Sequence, residues 1–224
     1  MVNVYEELVE KLFTHTAHRL KNVNRYGIFN TIEKENTAEH SYYVGLYCLI
    51  LAEKLSELMP DLEIDYRKLF TLSTFHDYDE VFTGDLPRGI KHTKDSRGLK
   101  IREALNSIVS DKVQETIGSQ YFHEQFLAGK DYTVEGIILK IADLFCVMVY
   151  VLNELGYGNR HVVALYKECE GFFVELLDKF DPSTNHGFAY TKMNQEMNVQ
   201  FKNICYKIVE SMLKLYNDKA LAAL

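Results

Sequence analysis

The chain has 224 residues, of which 47% are hydrophobic and 25% are charged, a composition typical of one globular domain with its own core. It carries 25 basic and 32 acidic residues, and this net charge of −7 argues against electrostatic capture of a nucleic acid polymer. No apolar run approaches the roughly 18 residues of a membrane span. The first seven residues lack the basic and apolar regions of a secretory signal.

The spacing of apolar residues predicts helices along almost the whole chain. Leu8, Leu12 and Phe13 repeat at the spacing of one helix face, which predicts a first helix over residues 6–20. A second helix is predicted from Thr37, whose hydroxyl would cap the free N–H groups, to about residue 59, just before Pro60. Further helices are predicted over residues 64–82, in shorter pieces over 96–127, and over 133–154, 159–180 and 190–217.

Signals for β-strands are almost absent. We find no sustained alternation of apolar and polar residues and no Asn-Gly or Asp-Gly hairpin. An internal loop is predicted over residues 181–187. The four cysteines are widely spaced and form no C-x-x-C pair, as expected for reduced core thiols of a cytoplasmic protein. The prediction is an all-α fold in which residues 1–224 form a single domain.

The segment 76–87, with the sequence HDYDEVFTGDLP, carries the densest group of ionisable side chains. Imidazole and carboxylate groups together suit a divalent transition metal such as Mn, Fe, Co or Zn. Glu80 lies four residues after His76 and three after Asp77, so on a continuous helix all three would lean toward one face. Taken alone, the same residues also describe a polar helix end that faces water.

Two other segments add ligand types to this group. His40 lies in the first turn of the predicted second helix. Asp143 lies in an otherwise apolar helix beside Leu144, where a charge is costly to bury without a partner. A metal ion is one such partner, and a salt bridge or a cavity edge is the alternative.

The order His40, His76-Asp77, Asp143 resembles the H…HD…D pattern of the HD-domain phosphohydrolases. More narrowly, the chain resembles the YfbR-like 5′-deoxynucleotidases over about residues 20–159. The bare H…HD…D pattern is moderately specific, whereas H-D-x-x-E-x-x-x-G-D-x-P in register with it is much more so. The segments that match are NRY (24–26), ENTAEHS (35–41), HDYDEVFTGDLP (76–87) and KIAD (140–143).

The resemblance implies a helical bundle of the HD-domain type, with a family-like core over about residues 20–160 and C-terminal helices over 160–217. It also implies one divalent metal ion, which could be Mn, Co, Mg or another transition metal. The ligands that it implies are His40, His76, Asp77 and Asp143.

The resemblance further implies roles around the metal. Glu80 would orient or deprotonate the attacking water, and Asp85 would assist near the water or the phosphate. Arg25 would meet the phosphate and sugar, and Tyr26, where a bacterial relative carries tryptophan, would crowd the 2′ side of the sugar. Lys91 would contact the phosphate, although residues 88–94 could equally be a solvated basic loop.

The resemblance implies a cytoplasmic homodimer that hydrolyses deoxyribonucleoside 5′-monophosphates to nucleoside and phosphate. Two alternatives stay open: an HD-type nucleoside triphosphate phosphohydrolase, and a non-catalytic HD domain that binds a nucleotide and regulates a partner. Retention of every metal ligand and of Glu80 argues against the second. Weaker candidate positions are His15 with His18, His123 with Glu124, and the aromatic stripe Tyr42, Tyr43 and Tyr47.

Overall fold

The computed structural model describes residues 3–86, 104, 107, 109–116, 119–128, 133–180 and 193–223. Within these residues the secondary structure is helical, and the β-type pairing they contain is a single isolated bridge between Asn24 and Asn36. The all-α prediction is therefore confirmed. The helices are α1 (Val4–Thr14), α2 (Thr37–Leu58), α3 (Tyr66–Phe75), α4 (Glu80–Thr83), α5 (Gln120–Ala128), α6 (Val134–Gly156), α7 (Val163–Phe180) and α8 (Gln195–Ala223), with 3₁₀ helices Thr16–Asn22 and Arg160–Val162.

Helix α6 is the centre of the bundle, because it packs against α2, α3, α7 and α8. It begins at the N-cap Thr133, whose side chain accepts the N–H of Gly136, and the chain leaves it through Gly158 at φ +85°. Its buried residues lie on every side, as expected for a helix surrounded by others. Asp143 therefore stands midway along the most enclosed element of the described structure.

The hydrophobic core runs from the loop before α2 to the end of the chain. One cluster of buried residues joins Tyr26, α2, α3 and α6 to Phe201, Val209 and Ala220 of α8. The four cysteines are buried free thiols. No helix in the described part of the chain is both long enough and apolar enough to cross a membrane.

The predicted first and second helices need two corrections. The helix predicted over 6–20 is interrupted at His15, whose extended backbone lets its ring Nδ1 accept the N–H of Ala17 at 3.2 Å. The cap of α2 is Asn36 and not Thr37. Asn36 and Glu39 each accept the other's backbone N–H in a capping box, which leaves the Thr37 hydroxyl available to a distant partner.

The prediction of one continuous helix over residues 64–82 is also wrong. Helix α3 ends at Phe75, and the next residues form turns with i→i+3 bonds from the N–H of Tyr78 to Phe75 and from that of Glu80 to Asp77. His76 and Glu80 therefore do not share one helix face. The predicted loop 181–187 and much of the predicted helical region 96–127 lie outside the described residues.

Candidate metal centre

Three helices bring together the four predicted metal ligands. His40 comes from the first turn of α2, His76 and Asp77 from the turn that directly follows α3, and Asp143 from the middle of α6. The three helices pack against one another in every pairing. Residues separated by up to 103 positions in the sequence thus face a common point.

The distances between their donor atoms fit a single cation. His40 Nε2 lies 3.0 Å from Asp143 Oδ1, and Asp77 Oδ2 lies 3.3 Å from His76 Nε2 and 3.8 Å from His40 Nε2. Donor atoms of His40, His76 and Asp143 all lie within 4.8 Å of one another. Two ligands about 2.1 Å from one ion are about 3.0 Å apart at a right angle and about 4.2 Å apart when opposite, so this donor set suits a divalent metal.

The surroundings of the two histidines favour an unprotonated Nε2 on His76 and an uncharged ring on His40. The ring Nδ1 of His76 lies 2.7 Å from the carbonyl oxygen of Ser73, which accepts its N–H and leaves Nε2 for a cation. Burial and the nearby Arg25 charge, opposed by Asp143, together lower the pKa of His40 to about 4. At neutral pH the His40 ring is therefore uncharged, as metal binding requires.

The loop between Val23 and Thr37 carries Arg25 to the same point. Its two ends run antiparallel, with the N–H of Arg25 donated to Glu35 O at 2.9 Å and that of Thr37 to Val23 O at 3.0 Å. The Arg25 guanidinium then lies 3.0 Å from Asp77 Oδ2 and 3.4 Å from Glu35 Oε2. Arg25 thus places a positive charge among the acidic groups of the site.

Tyr26 adopts an unusual backbone conformation beside Arg25. Its φ of +59° lies in the left-handed region, which costs a residue with a side chain about 1–2 kcal/mol. Two contacts hold it: Asp85 Oδ2 accepts its N–H at 2.9 Å, and its ring stacks on Tyr150 with centroids 4.3 Å apart. The Tyr26 side chain is consequently only 9% exposed, and Asp85 is tied to the turn that presents Arg25.

Glu80 is a buried carboxylate next to the donor group. It is 1% exposed, and its Oε2 accepts the hydroxyl of Thr37 at 2.7 Å, one helical turn before His40. Burial lowers the pKa of Arg25, and the nearby acidic groups, of which Glu80 is one, raise it above its ordinary value. The free hydroxyl of Thr37 left by the capping box thus holds Glu80 beside the site.

Sequence reasoning missed the residue that anchors the Arg25 loop. The carboxylate of Glu154 is fully buried near the end of α6 and accepts the N–H groups of Ile32 at 2.8 Å and Glu33 at 2.7 Å. Asn159 Nδ2 donates to the same carboxylate. The signal was present in the sequence, because Glu154 is a charged residue in an apolar helix, as Asp143 is.

Glu35 is the second missed residue, although it belongs to a quoted motif. Its side chain lies between Arg25 and His40, with Oε2 3.8 Å from His40 Nδ1. Burial raises the pKa of Glu35 to about 7, and the Arg25 charge opposes that rise. It is an ionisable residue enclosed beside the donor group, with a place in the site that its exposed neighbour Glu39 does not share.

The remaining candidate residues are not part of this donor group or lie outside the described residues. Lys91 and the basic segment 88–94 lie outside the described residues. His123 is buried on α5, where its Nε2 lies 3.1 Å from the hydroxyl oxygen of Ser110. Tyr42 and Tyr43 are exposed on α2, whereas Tyr47 packs edge-on against Phe145.

Comparisons with known proteins identify the family to which the chain is similar. The model of the family described as 5′-deoxynucleotidase YfbR-like matches residues 12–181. A 5′-deoxynucleotidase of Klebsiella pneumoniae is 29% identical over 151 residues, 66% of this chain and 74% of that one. One from Enterobacter sp. strain 638 is 28% identical over 176 residues, 75% and 86% of the two chains.

Solved structures show the same fold. An HD-domain phosphohydrolase from Listeria innocua superposes with a TM-score of 0.60 at 20% identity, over 95% of this chain and 99% of that one. The HD phosphohydrolase DatZ of cyanophage S-2L, solved with dA and one catalytic Zn²⁺, gives a TM-score of 0.55 at 15% identity, over 96% and 98%. The resemblance seen in the sequence is confirmed: the chain belongs to the YfbR-like 5′-deoxynucleotidase family and has the helical fold of HD-domain phosphohydrolases.

Proposed function

We propose that this protein hydrolyses deoxyribonucleoside 5′-monophosphates to nucleoside and phosphate with one divalent metal ion. The observation that carries the proposal is the convergence of His40, His76, Asp77 and Asp143, with Arg25 beside them. The family match and the names of the relatives support the reaction class. The zinc ion and dA named for the phage enzyme support a metal and a deoxynucleoside at such a site. The assay below identifies the metal that this chain uses.

The proposed ligands are His40, His76, Asp77 and Asp143, two neutral imidazoles and two carboxylates. A divalent ion bound by them would supply Lewis-acid stabilisation of phosphoryl charge and lower the pKa of water. The protein's own part is to position the reactants and to complement their charge. Arg25, already balanced between Asp77 and Glu35, would turn a free N–H toward the phosphate dianion.

Residues other than the metal ligands would take up the proton of the attacking water and contact the phosphate and sugar. Glu80, held by the Thr37 hydroxyl, would take a proton from the attacking water. Asp85 would assist near the phosphate with the oxygen that does not hold Tyr26. Tyr26 would border the C2′ face of the sugar, and Lys91 would add a phosphate contact.

The following assay tests the proposed reaction. Phosphate release is measured with dAMP, dADP and dATP, each with Mg²⁺, Mn²⁺ or Co²⁺, and triphosphate release from dATP is followed separately. We expect rapid release from dAMP alone, since one arginine beside a single metal balances a small phosphate load. Triphosphate as the main product would favour the nucleoside triphosphate phosphohydrolase, and nucleotide binding without turnover would favour the regulatory domain.

AMP in the same assay tests the sugar. The Tyr26 hydroxyl is buried within the described structure. A 2′-hydroxyl placed against the Tyr26 ring could therefore not use it as a hydrogen-bond acceptor. Burying a hydroxyl without a partner costs about 1–3 kcal/mol, and we therefore expect kcat/KM for dAMP to exceed that for AMP by roughly ten- to a hundredfold. Equal values for the two substrates would remove ribose exclusion from the proposed function.

We also propose a single-domain, cytoplasmic homodimer. The burial of all four cysteines as free thiols supports a reducing compartment. Packing of α8 on α6 and α7 supports one domain. An association surface is supported by apolar side chains that stay exposed along one face of α1 and on α2, namely Val4, Tyr5, Leu8, Val9, Leu12, Tyr42, Tyr43, Leu46 and Ile50.

Light scattering on the full chain tests the homodimer. We expect twice the chain mass, and a shift toward one chain mass in Leu8→Glu/Leu12→Glu, because the two charges fall on the exposed stripe of α1. Lys11→Glu on the same helix is the matched control, since it changes charge at an exposed polar position. A monomeric wild-type chain would contradict the proposal.

A further inference from the structure

A group of buried polar atoms lies behind the proposed metal ligands, on the far side of the His40 ring. Glu35 Oε2 lies 3.4 Å from Arg25 Nε and 3.8 Å from His40 Nδ1. All three atoms are buried, and none of the three has a hydrogen-bond partner among the described residues. A buried polar atom without a hydrogen bond is costly. This indicates that these atoms come within hydrogen-bond distance of a partner in the functional protein.

The position of the proton on the His40 ring indicates which hydrogen bond forms. His40 Nε2 faces Asp143 and Asp77 at 3.0 and 3.8 Å, so a cation there takes the lone pair of Nε2. The proton of the neutral ring must then sit on Nδ1, which needs an acceptor. His76 has its acceptor already, the carbonyl oxygen of Ser73 at 2.7 Å. For His40 the carboxylate that faces Nδ1 is Glu35.

A second cation at this position is the competing explanation. Glu35, His40 and the buried Cys146 offer three donor atoms within 4.8 Å of one another. This group, however, holds one carboxylate, which already faces the Arg25 guanidinium at 3.4 Å, whereas the site proposed above holds two carboxylates. Burial also raises the pKa of the Cys146 thiol, which disfavours the thiolate that a metal prefers. Glu35 is therefore better suited to accept a hydrogen bond than to bind a metal ion.

We propose that Glu35 is a positioning residue that accepts the Nδ1–H of His40 when metal binds and holds Arg25 with the same carboxylate. Metal binding would bring Nδ1 and Oε2 from 3.8 Å to hydrogen-bond distance and fix the His40 tautomer. The same carboxylate holds the other side of the guanidinium, with Oε2 3.4 Å from Arg25 Nε, while Arg25 Nη1 lies 3.0 Å from Asp77 Oδ2. This inference rests on the metal site proposed above.

Metal affinity tests the inference without using turnover. Metal-free wild type, Glu35→Gln, Glu35→Ala and Glu39→Gln are titrated with Co²⁺ and followed by its visible absorption. Loss of such an outer-shell partner typically weakens metal binding about 10- to 100-fold, which we expect for Glu35→Ala. We expect a smaller loss for Glu35→Gln, whose amide oxygen can still accept from Nδ1, and wild-type affinity for Glu39→Gln, which keeps the capping box.

A spectroscopic measurement separates positioning from a structural role. In Zn²⁺-loaded protein, long-range ¹H–¹⁵N spectra should show a protected Nδ1–H of His40 in wild type and Glu39→Gln, and should lose it in Glu35→Ala. Melting temperatures of the metal-free proteins check folding, and Glu35→Gln serves if Glu35→Ala is unfolded. Co²⁺ affinity of the folded Glu35 variants within twofold of wild type, or an unchanged Nδ1–H signal in Glu35→Ala, would overturn the inference. Wild type that binds no Co²⁺ or releases no phosphate would instead refute the proposed function.

Discussion

Asp77→Ala is expected to remove metal binding and phosphate release together. Asp77 Oδ2 is the donor that lies near both histidines, 3.3 Å from His76 Nε2 and 3.8 Å from His40 Nε2. Its loss deprives the ion of a ligand and frees Arg25 to pair with other carboxylates. A metal supplies several kcal/mol of transition-state stabilisation, and we therefore expect turnover to fall by at least about a thousandfold. Metal content per chain and kcat are measured on the same samples.

A matched carboxylate separates this effect from a change in charge. Asp61→Asn removes one negative charge at an exposed position just after α2, and we expect metal content and kcat to stay at wild-type values. Asp77→Asn keeps the size of the side chain and should lose metal nearly as fully as Asp77→Ala. Full metal occupancy in either Asp77 variant would contradict the assignment of four ligands.

Glu80→Gln is expected to keep the metal and the nucleotide and to lose turnover by about 10²–10⁴-fold, the usual cost of losing one proton-transfer group. Glutamine preserves the size of the side chain and still accepts the Thr37 hydroxyl, now 2.7 Å from Glu80 Oε2. It cannot take a proton from water. Metal content, the dAMP dissociation constant and kcat measured side by side separate binding from chemistry.

Another buried glutamate provides the control for Glu80. Glu135 is 7% exposed and accepts the N–H of Asp65 at 2.9 Å, at the opposite end of α3 from His76. We expect Glu135→Gln to change thermal stability without changing kcat. Near-normal turnover in Glu80→Gln would show that another group, of which Asp85 is the first candidate, activates the water.

Local pattern was a good guide to the class of fold and a poorer guide to where helices end. The all-α prediction depended on residue types and spacing, which act within a few turns of one helix. The break after Phe75 was not visible in that way, because His76 and Asp77 are compatible with a helix. The capping prediction failed for a related reason: Asn36 and Thr37 are both good caps, and the choice followed from the buried partner that Thr37 finds in Glu80.

The sequence by itself determined the family, the all-α class and the identity and order of the candidate ligands. Their residue types and spacing are local properties that a chain carries whether folded or not. Only the tertiary structure decided that Glu35 faces His40, that Glu154 anchors the loop of Arg25, and that the Tyr26 ring stacks on Tyr150. Glu154 reaches its partner over 121 positions, and the Tyr26 ring stacks on a residue of α6 far along the chain. Such contacts depend on how α2, α3 and α6 pack, and no local pattern of residues specifies that packing.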